Sequence, residues 1–196
     1  MKFIVLVLSG VLLLSTFTPL AAADLSTPEK KLLLEYARGC LISQVAGNSP
    51  PSPPEYALNR QRACFVTFFS GKRVFACFGS FSPRRSTLAE EISENVRLAL
   101  RNDVRSRSAN LSTAAHAGVQ ITFPLGQPQP ATDYRSINPA REGMFVEGSG
   151  GNGVAFVPGE ARTAAWAFRE ALRRLGENNP AAVTVYRFTA EAISTR

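Results

Sequence analysis

The sequence predicts an α+β domain in which helices flank a mostly antiparallel sheet. Three observations support this class: two helix-capping boxes, two β-hairpin patterns closed by glycine turns, and the mixed order of helices and hairpins along the chain. A chain of 196 residues is of ordinary size for one domain with its own hydrophobic core.

The N-terminus has the three parts of a secretory signal peptide: a lysine, an apolar run over Phe3–Leu14, and small residues ending at Ala23. We expect cleavage after Ala23, which leaves residues 24–196 as a single domain that is secreted or periplasmic. The apolar run is shorter than the roughly 20 residues that span a bilayer. No cysteine sits at the cleavage point itself, where a lipid would be attached, so we expect no stable membrane anchor.

The first predicted helix runs from Pro28 to Ala46. Ser26 and Glu29 form a capping box at its start, and Gly47 is typical of a helix end. Apolar residues recur at helical spacing along this segment and include Cys40. Cys40 is therefore predicted to lie on the buried face of the helix.

Two further helices follow a proline-rich connection over residues 47–56, which cannot itself be helical. The second begins at the capping box Thr87–Glu90 and extends to about Asp103, with helical spacing of its apolar residues. The third spans residues 160–175 and ends at Gly176.

The strongest local pattern is a β-hairpin with strands near residues 63–69 and 73–79, joined by a glycine turn. A strand is predicted over residues 118–123 after a loop that carries His116. A second hairpin covers residues 143–147 and 153–157. The last predicted strand covers residues 183–188.

The register of the first hairpin bears on its two cysteines. A two-residue loop places Cys77 opposite Val66, and a three-residue loop places it opposite Phe65. Neither register puts Cys77 directly across from Cys64, as the short Cβ spacing of a disulfide requires. We therefore predict no bond between Cys64 and Cys77.

Cys77 has two interpretations. The chain contains three cysteines, so at most one internal disulfide can form, and Cys40 could pair with Cys64 or Cys77. Flanking aromatic residues make Cys77 a candidate core residue, which is the common position of a free cysteine. Gly79 permits close approach of a ligand or another backbone, so Cys77 is also a candidate for the wall of a pocket, although the residues alone favour the core.

Several functions are disfavoured by composition. The net charge of +7 comes mainly from arginines dispersed along the chain, so we expect no nucleic-acid partner. A single histidine, His116, argues against a zinc site, and we expect neither a metal nor a cofactor. The glycine-rich loop 148–153 is followed by a predicted strand, whereas a phosphate-binding loop is followed by a helix. We therefore interpret this loop as a hairpin turn.

The order of these motifs resembles the AMMECR family. Val74-Phe75-Ala76-Cys77-Phe78-Gly79 is similar to the family's leucine-arginine-glycine-cysteine-isoleucine-glycine, and Asp103-Val104-Arg105 to its aspartate-proline-arginine. The glycine hairpin that ends at Val157-Pro158 is similar to a third family motif. The resemblance covers about residues 28–190 and differs from the family at Phe75, Ala76 and Val104.

The resemblance implies two closely packed subdomains with the cysteine motif near a cleft. It associates prokaryotic members with a Memo-type protein and a radical S-adenosylmethionine protein, which suggests a modification pathway of unestablished chemistry. Most members are intracellular, so this chain looks like a divergent exported member.

Two functional hypotheses follow. The first is a non-enzymatic or accessory binding module in which Gly79, Asp103 and Arg105, beside Cys77, bind a small molecule or an unknown protein partner. The second is a thiol-dependent enzyme or redox protein in which Cys77 is catalytic and Arg105 or Arg73 lowers its pKa.

Overall fold

The computed structural model describes residues 25–196, so the predicted signal peptide and its cleavage site lie outside the described residues. Within this range the chain forms five α-helices and eight β-strands. The helices are α1 (Thr27–Ala46), α2 (Glu55–Leu58), α3 (Leu88–Asn102), α4 (Leu111–Ala115) and α5 (Ala164–Leu175). The strands are β1 (Phe65–Ser70), β2 (Arg73–Gly79), β3 (Gly118–Pro124), β4 (Gln129–Pro130), β5 (Gly143–Glu147), β6 (Gly153–Phe156), β7 (Thr184–Phe188) and β8 (Ala190–Ser194).

The first sheet is antiparallel and has the strand order β2-β1-β3-β8. Helices α1 and α3 pack their apolar faces against one face of this sheet. Alternate residues of each strand point to that face and meet the helices there. This main core contains Leu33, Cys40, Leu41, Val66, Phe68, Ile92, Val96, Val119 and Ile121. Cys40 is fully buried there, as its helical spacing predicted.

The second sheet has the order β4-β7-β5-β6 and is also antiparallel. Helix α5 covers one face of it, and the resulting core contains Met144, Val146, Phe156, Ala167, Phe168 and Ala171. Each sheet therefore has its own helices and its own core, which confirms the α+β class with two packed subdomains.

A third cluster joins the two sheets. Phe65 of β1 stacks on Phe188 of β7 with ring centroids 6.0 Å apart, and Phe81 contacts both rings edge to face. The chain also crosses between the sheets at its end, since β7 belongs to the second sheet and β8 to the first. The sequence prediction ended at the strand over residues 183–188 and missed β8.

The first hairpin is present, but its predicted register was wrong. Ser70 pairs with Arg73, as a two-residue turn requires, and the register then shifts by one residue between Phe68 and Phe69. This β-bulge places Cys77 opposite Thr67. A turn-based prediction assumed an unbroken ladder, so it could not anticipate the shift.

The capping predictions hold at α1 and α3, where both capping boxes are formed, and at the Gly176 end of α5. Helix α5 begins at Ala164 rather than residue 160, because the side chain of Thr163 caps it by accepting from the Trp166 amide. In residues 25–196 no helix has the length and apolar character needed to cross a membrane.

The loop between β2 and α3 is held by a buried carboxylate. Glu91 of α3, whose side chain is 1% exposed, accepts hydrogen bonds from the amides of Arg84 and Arg85 at 2.8 and 3.0 Å and from the Ser80 hydroxyl at 3.1 Å. Because the loop is tied to α3 in this way, Phe81 is held in the aromatic cluster between the sheets.

Candidate functional site

A cleft of about 640 Å³ lies between the two subdomains, and all four residues selected from the sequence line it: Cys77, Gly79, Asp103 and Arg105. Strands β2 and β6 and the 3-10 turn Val104–Ser108 contribute to its walls. Residues from β2 and from the end of α3, which are distant in sequence, therefore share one surface. The roles predicted for these residues stay predictions.

Cys77 lies on the face of β2 that is turned away from the main core. Its Sγ atom is 3.2 Å from Thr67 Oγ1, and its amide donates to Asp103 Oδ2 at 2.9 Å. Cys64 lies in the main core on the other face of the sheet. Cys40, Cys64 and Cys77 are all free thiols, and the opposite faces explain why Cys64 and Cys77 do not meet.

The surroundings of Cys77 favour the protonated thiol. Burial, followed by the charge of Glu160, raises the pKa of Cys77 to about 12, although Thr67 and Arg105 act in the other direction. A thiol is a good nucleophile only as the thiolate. Arg105, which was expected to activate Cys77, is present, but the carboxylates of Asp103 and Glu160 balance its charge.

Asp103 connects α3 to the first sheet. It follows the last residue of α3, accepts from the amide of Cys77, and also accepts from the amide of Arg105 at 3.0 Å. Its side chain is 7% exposed. A buried carboxylate requires such partners, since an unpaired charge in the interior is costly.

Arg105 joins Asp103 to Glu160, and these three side chains form the carboxylate–arginine cluster. Its guanidinium donates to Asp103 Oδ2 at 2.7 Å and to Glu160 Oε1 at 2.9 Å. Burial acts to lower the pKa of Arg105, but hydrogen bonds and charges from Asp103 and Glu160 outweigh burial and raise it. With two carboxylates and one guanidinium, the cluster has no spare positive charge for a ligand anion.

Gly79 has a steric role that the structure makes explicit. A Cβ atom at this position would lie 2.4 Å from Phe65 Cα and 2.5 Å from the carbonyl oxygen of Cys64. The close approach expected at this glycine is therefore made by strand β1. Gly79 offers the cleft only its backbone.

Aromatic side chains make up much of the cleft wall. Phe65, Phe78, Phe81 and Phe145 all line it, and Phe81 and Phe145 pack edge to face with centroids 5.3 Å apart. Such rings bury large apolar areas and accept further rings or aliphatic groups at their free faces.

Two arginines from the last turn of α5, Arg173 and Arg174, also line the cleft. The residue Glu177 just beyond α5 bonds Ser149 in the loop before β6, whereas Glu160 bonds Val157 after β6, so the arginines and Glu160 lie towards opposite ends of this strand.

Arg173 and Arg174 both bond Glu170, at 2.7 and 2.8 Å, which leaves this group with an excess of one positive charge. The Arg173 side chain is 65% exposed, and the Arg174 guanidinium lies 5.0 Å from the centre of the Phe156 ring.

Sequence reasoning missed Glu160, Phe145 and Arg173. Glu160 was placed inside a predicted helix, whereas it lies before α5 in a loop that reaches the first subdomain. Nothing in its local sequence marks a long-range ion pair. Arg173 looked like an ordinary exposed helix residue, and only the packing of α5 places it at the cleft.

Other candidates from the sequence lie away from this site. His116 is exposed at the end of α4, where its Nδ1 lies 2.9 Å from the carbonyl oxygen of Ser112. The glycine-rich loop 148–153 joins β5 to β6 in a hairpin. In the described part of the chain, no three acidic, histidine or cysteine side chains gather as a metal site would need.

The fold and site define a two-sheet α+β domain with an aromatic cleft beside a buried charge cluster. The chain belongs to the AMMECR1 family, since the sequence model of that family matches residues 34–193. No curated protein matches the chain.

A solved structure supports the fold. The uncharacterised protein PH0010 from Pyrococcus horikoshii is similar over 82% of this chain and 88% of its own, with a TM-score of 0.59 and 19% identity. At this identity the likeness concerns the fold alone.

The three residues that differ from the family motifs lie in different surroundings. Phe75 and Ala76 are both buried in the main core, and the Phe75 ring stacks on Phe68 with centroids 6.2 Å apart. They therefore do not form part of the cleft wall. Val104 does line the cleft and is 52% exposed.

Replacing Arg105 by lysine tests the carboxylate–arginine cluster. An ammonium group cannot reproduce the forked bonds to two carboxylates, so we expect Arg105→Lys to lower the free energy of unfolding by about 1–3 kcal/mol. The control is Arg107→Lys, an exposed position of the same 3-10 turn, which should leave the urea midpoint unchanged. Equal midpoints for the two variants would show that the cluster contributes little.

Proposed function

We propose that this protein is an accessory binding module whose cleft beside Cys77 holds an apolar or aromatic group of a small molecule or partner protein. The observation that carries the proposal is the convergence of Cys77, Gly79, Asp103 and Arg105 on one cleft of about 640 Å³. A concave, mostly apolar site with a few polar groups is the usual form of a ligand pocket.

The charge distribution favours binding over thiol catalysis. Arg105 is engaged by two carboxylates, and the raised pKa of Cys77, about 12, keeps the thiol protonated at neutral pH. A general base beside Cys77 would also be needed, and the neighbouring Asp103 and Glu160 are both held by Arg105. The aromatic wall and the exposed Arg173 remain available to contact a ligand.

Fragment binding tests the proposed cleft. We expect 3-phenylpropionate and its uncharged amide to shift backbone amide NMR signals at Gly79, Phe145 and Gly153. Arg173→Glu should lower the affinity for the carboxylate by about two- to fivefold, as for loss of an exposed ion pair. It should change the affinity for the amide less.

Arg169→Glu is the matched control, because it makes the same charge change at an exposed position of α5 outside the cleft. Arg169→Glu should leave the affinities for both fragments unchanged. If neither these fragments nor a panel of other aromatic acids shifts cleft signals, the binding proposal fails.

Alkylation separates the binding module from the thiol enzyme. At pH 8 we expect iodoacetamide to label Cys77 in the folded protein at least about tenfold more slowly than in urea, because its raised pKa suppresses the thiolate. The folded-state rate should rise about tenfold per pH unit up to pH 10. Mass spectrometry of peptides assigns the label, and faster labelling in the folded state would support the enzyme instead.

We propose further that the protein is exported and is secreted or periplasmic. The support is the signal-like order of residues 1–23. Expression of the full chain in a secreting host should yield a mature protein whose intact mass equals that of residues 24–196. A protein recovered at full length from the cytoplasm would contradict export.

A further inference from the structure

The outer edge of β6 presents unpaired backbone groups to the cleft. Gly148 donates to the carbonyl of Asn152 at 2.9 Å, so these two form a hydrogen-bonded pair that continues the β5–β6 ladder by one step. Bonded and non-bonded pairs alternate in an antiparallel ladder. Gly153 and Ala155 therefore point their N–H and C=O groups away from β5, and β6 is the last strand of its sheet.

The edge of β2 faces the same cleft. Ser80 donates to the carbonyl of Cys64 at 3.4 Å, so the same alternation turns the backbone groups of Cys77 and Gly79 away from β1. The bond from the Cys77 amide to Asp103 agrees with this direction. Two sheet edges thus line one cleft.

The carboxylate–arginine cluster satisfies one outward amide from each edge. Asp103 accepts from Cys77 on β2, and Glu160 accepts from Val157, the residue after β6, at 3.3 Å. Beyond these two amides, the outward N–H groups of Gly79, Gly153 and Ala155 donate to no acceptor within residues 25–196. A sheet edge left open in this way is a template for another strand.

We propose that the cleft binds an extended peptide segment of a partner protein, which adds as a strand to the β6 edge. This inference rests on the proposed binding function and specifies its ligand. Main-chain groups of Gly153 and Ala155 would bond the peptide, and alternate side chains would enter the aromatic wall at Phe81 and Phe145. Strand addition gains affinity from the main chain and specificity from such pockets.

Charge complementarity specifies the peptide further. At Asp103 and Arg105, which line one end of the cleft, the carboxylate–arginine cluster has an excess of one negative charge, since Arg105 balances only one of its two carboxylates. The end at Arg173 and Arg174 has an excess of one positive charge. We therefore infer an apolar segment that carries a carboxylate, from an acidic residue or a chain terminus, at the α5 end.

N-methylated peptides test strand addition in the unaltered protein. The probes are blocked octapeptides in which valine, leucine or phenylalanine alternates with threonine, each ending in aspartate, and binding is followed by fluorescence anisotropy. The best binder is then made in two forms, N-methylated at the odd or at the even amides. Because only one set of amides faces β6, we expect one form to lose at least about tenfold in affinity and the other to change little.

A variant of β6 provides the second measurement. Ala155→Pro removes the outward N–H, and proline is tolerated at an edge position whose N–H faces outward. We expect it to weaken the best peptide by about tenfold, as for loss of a main-chain hydrogen bond and strand contact. Ala155→Ser retains the N–H and should bind as the parent does, with circular dichroism confirming that both variants are folded.

The outcomes separate this inference from the broader function. If aromatic acids shift the cleft signals but no octapeptide binds, strand addition is overturned and the binding cleft stands. Equal weakening by both N-methylated forms, or unchanged binding to Ala155→Pro, also overturns it. If neither fragments nor peptides bind, both proposals fail.

Discussion

The hydrogen-bonded ion pairs of Arg105 are the interaction on which the rest of the site depends. Its guanidinium holds Asp103, which also accepts from β2, and Glu160, which also accepts from the residue after β6. One side chain therefore ties an edge of each sheet to the same point. A guanidinium suits this position because it stays charged and offers several donors in a fixed plane.

This arrangement determines which chemistry remains available in the cleft. The buried charges satisfy one another, so neither Arg105 nor its two carboxylates is free to act as an anion site or a base. The remaining surface includes aromatic rings, outward backbone groups and an exposed arginine on α5. These groups are suited to recognition by shape and main-chain bonding, and the proposed binding function rests on them.

The three cysteines illustrate how the fold assigns different roles to one residue type. Cys40 and Cys64 belong to the main core, and burial raises the pKa of Cys64 to about 12. Cys77 lies on the opposite face of the hairpin and borders the cleft, although burial and Glu160 raise its pKa as well. A one-residue bulge places Cys77 beside Thr67.

The sequence alone determined the helix caps, the two hairpins, the α+β class and the family, because these depend on neighbouring residues or on the order of motifs. It also selected Cys77, Gly79, Asp103 and Arg105. Only the tertiary structure decided the bulge, strand β8, the position of Phe75 in the core and the inclusion of Glu160, Phe145 and Arg173. These features arise from packing between segments far apart in the chain, and no local propensity encodes which distant partner a side chain meets.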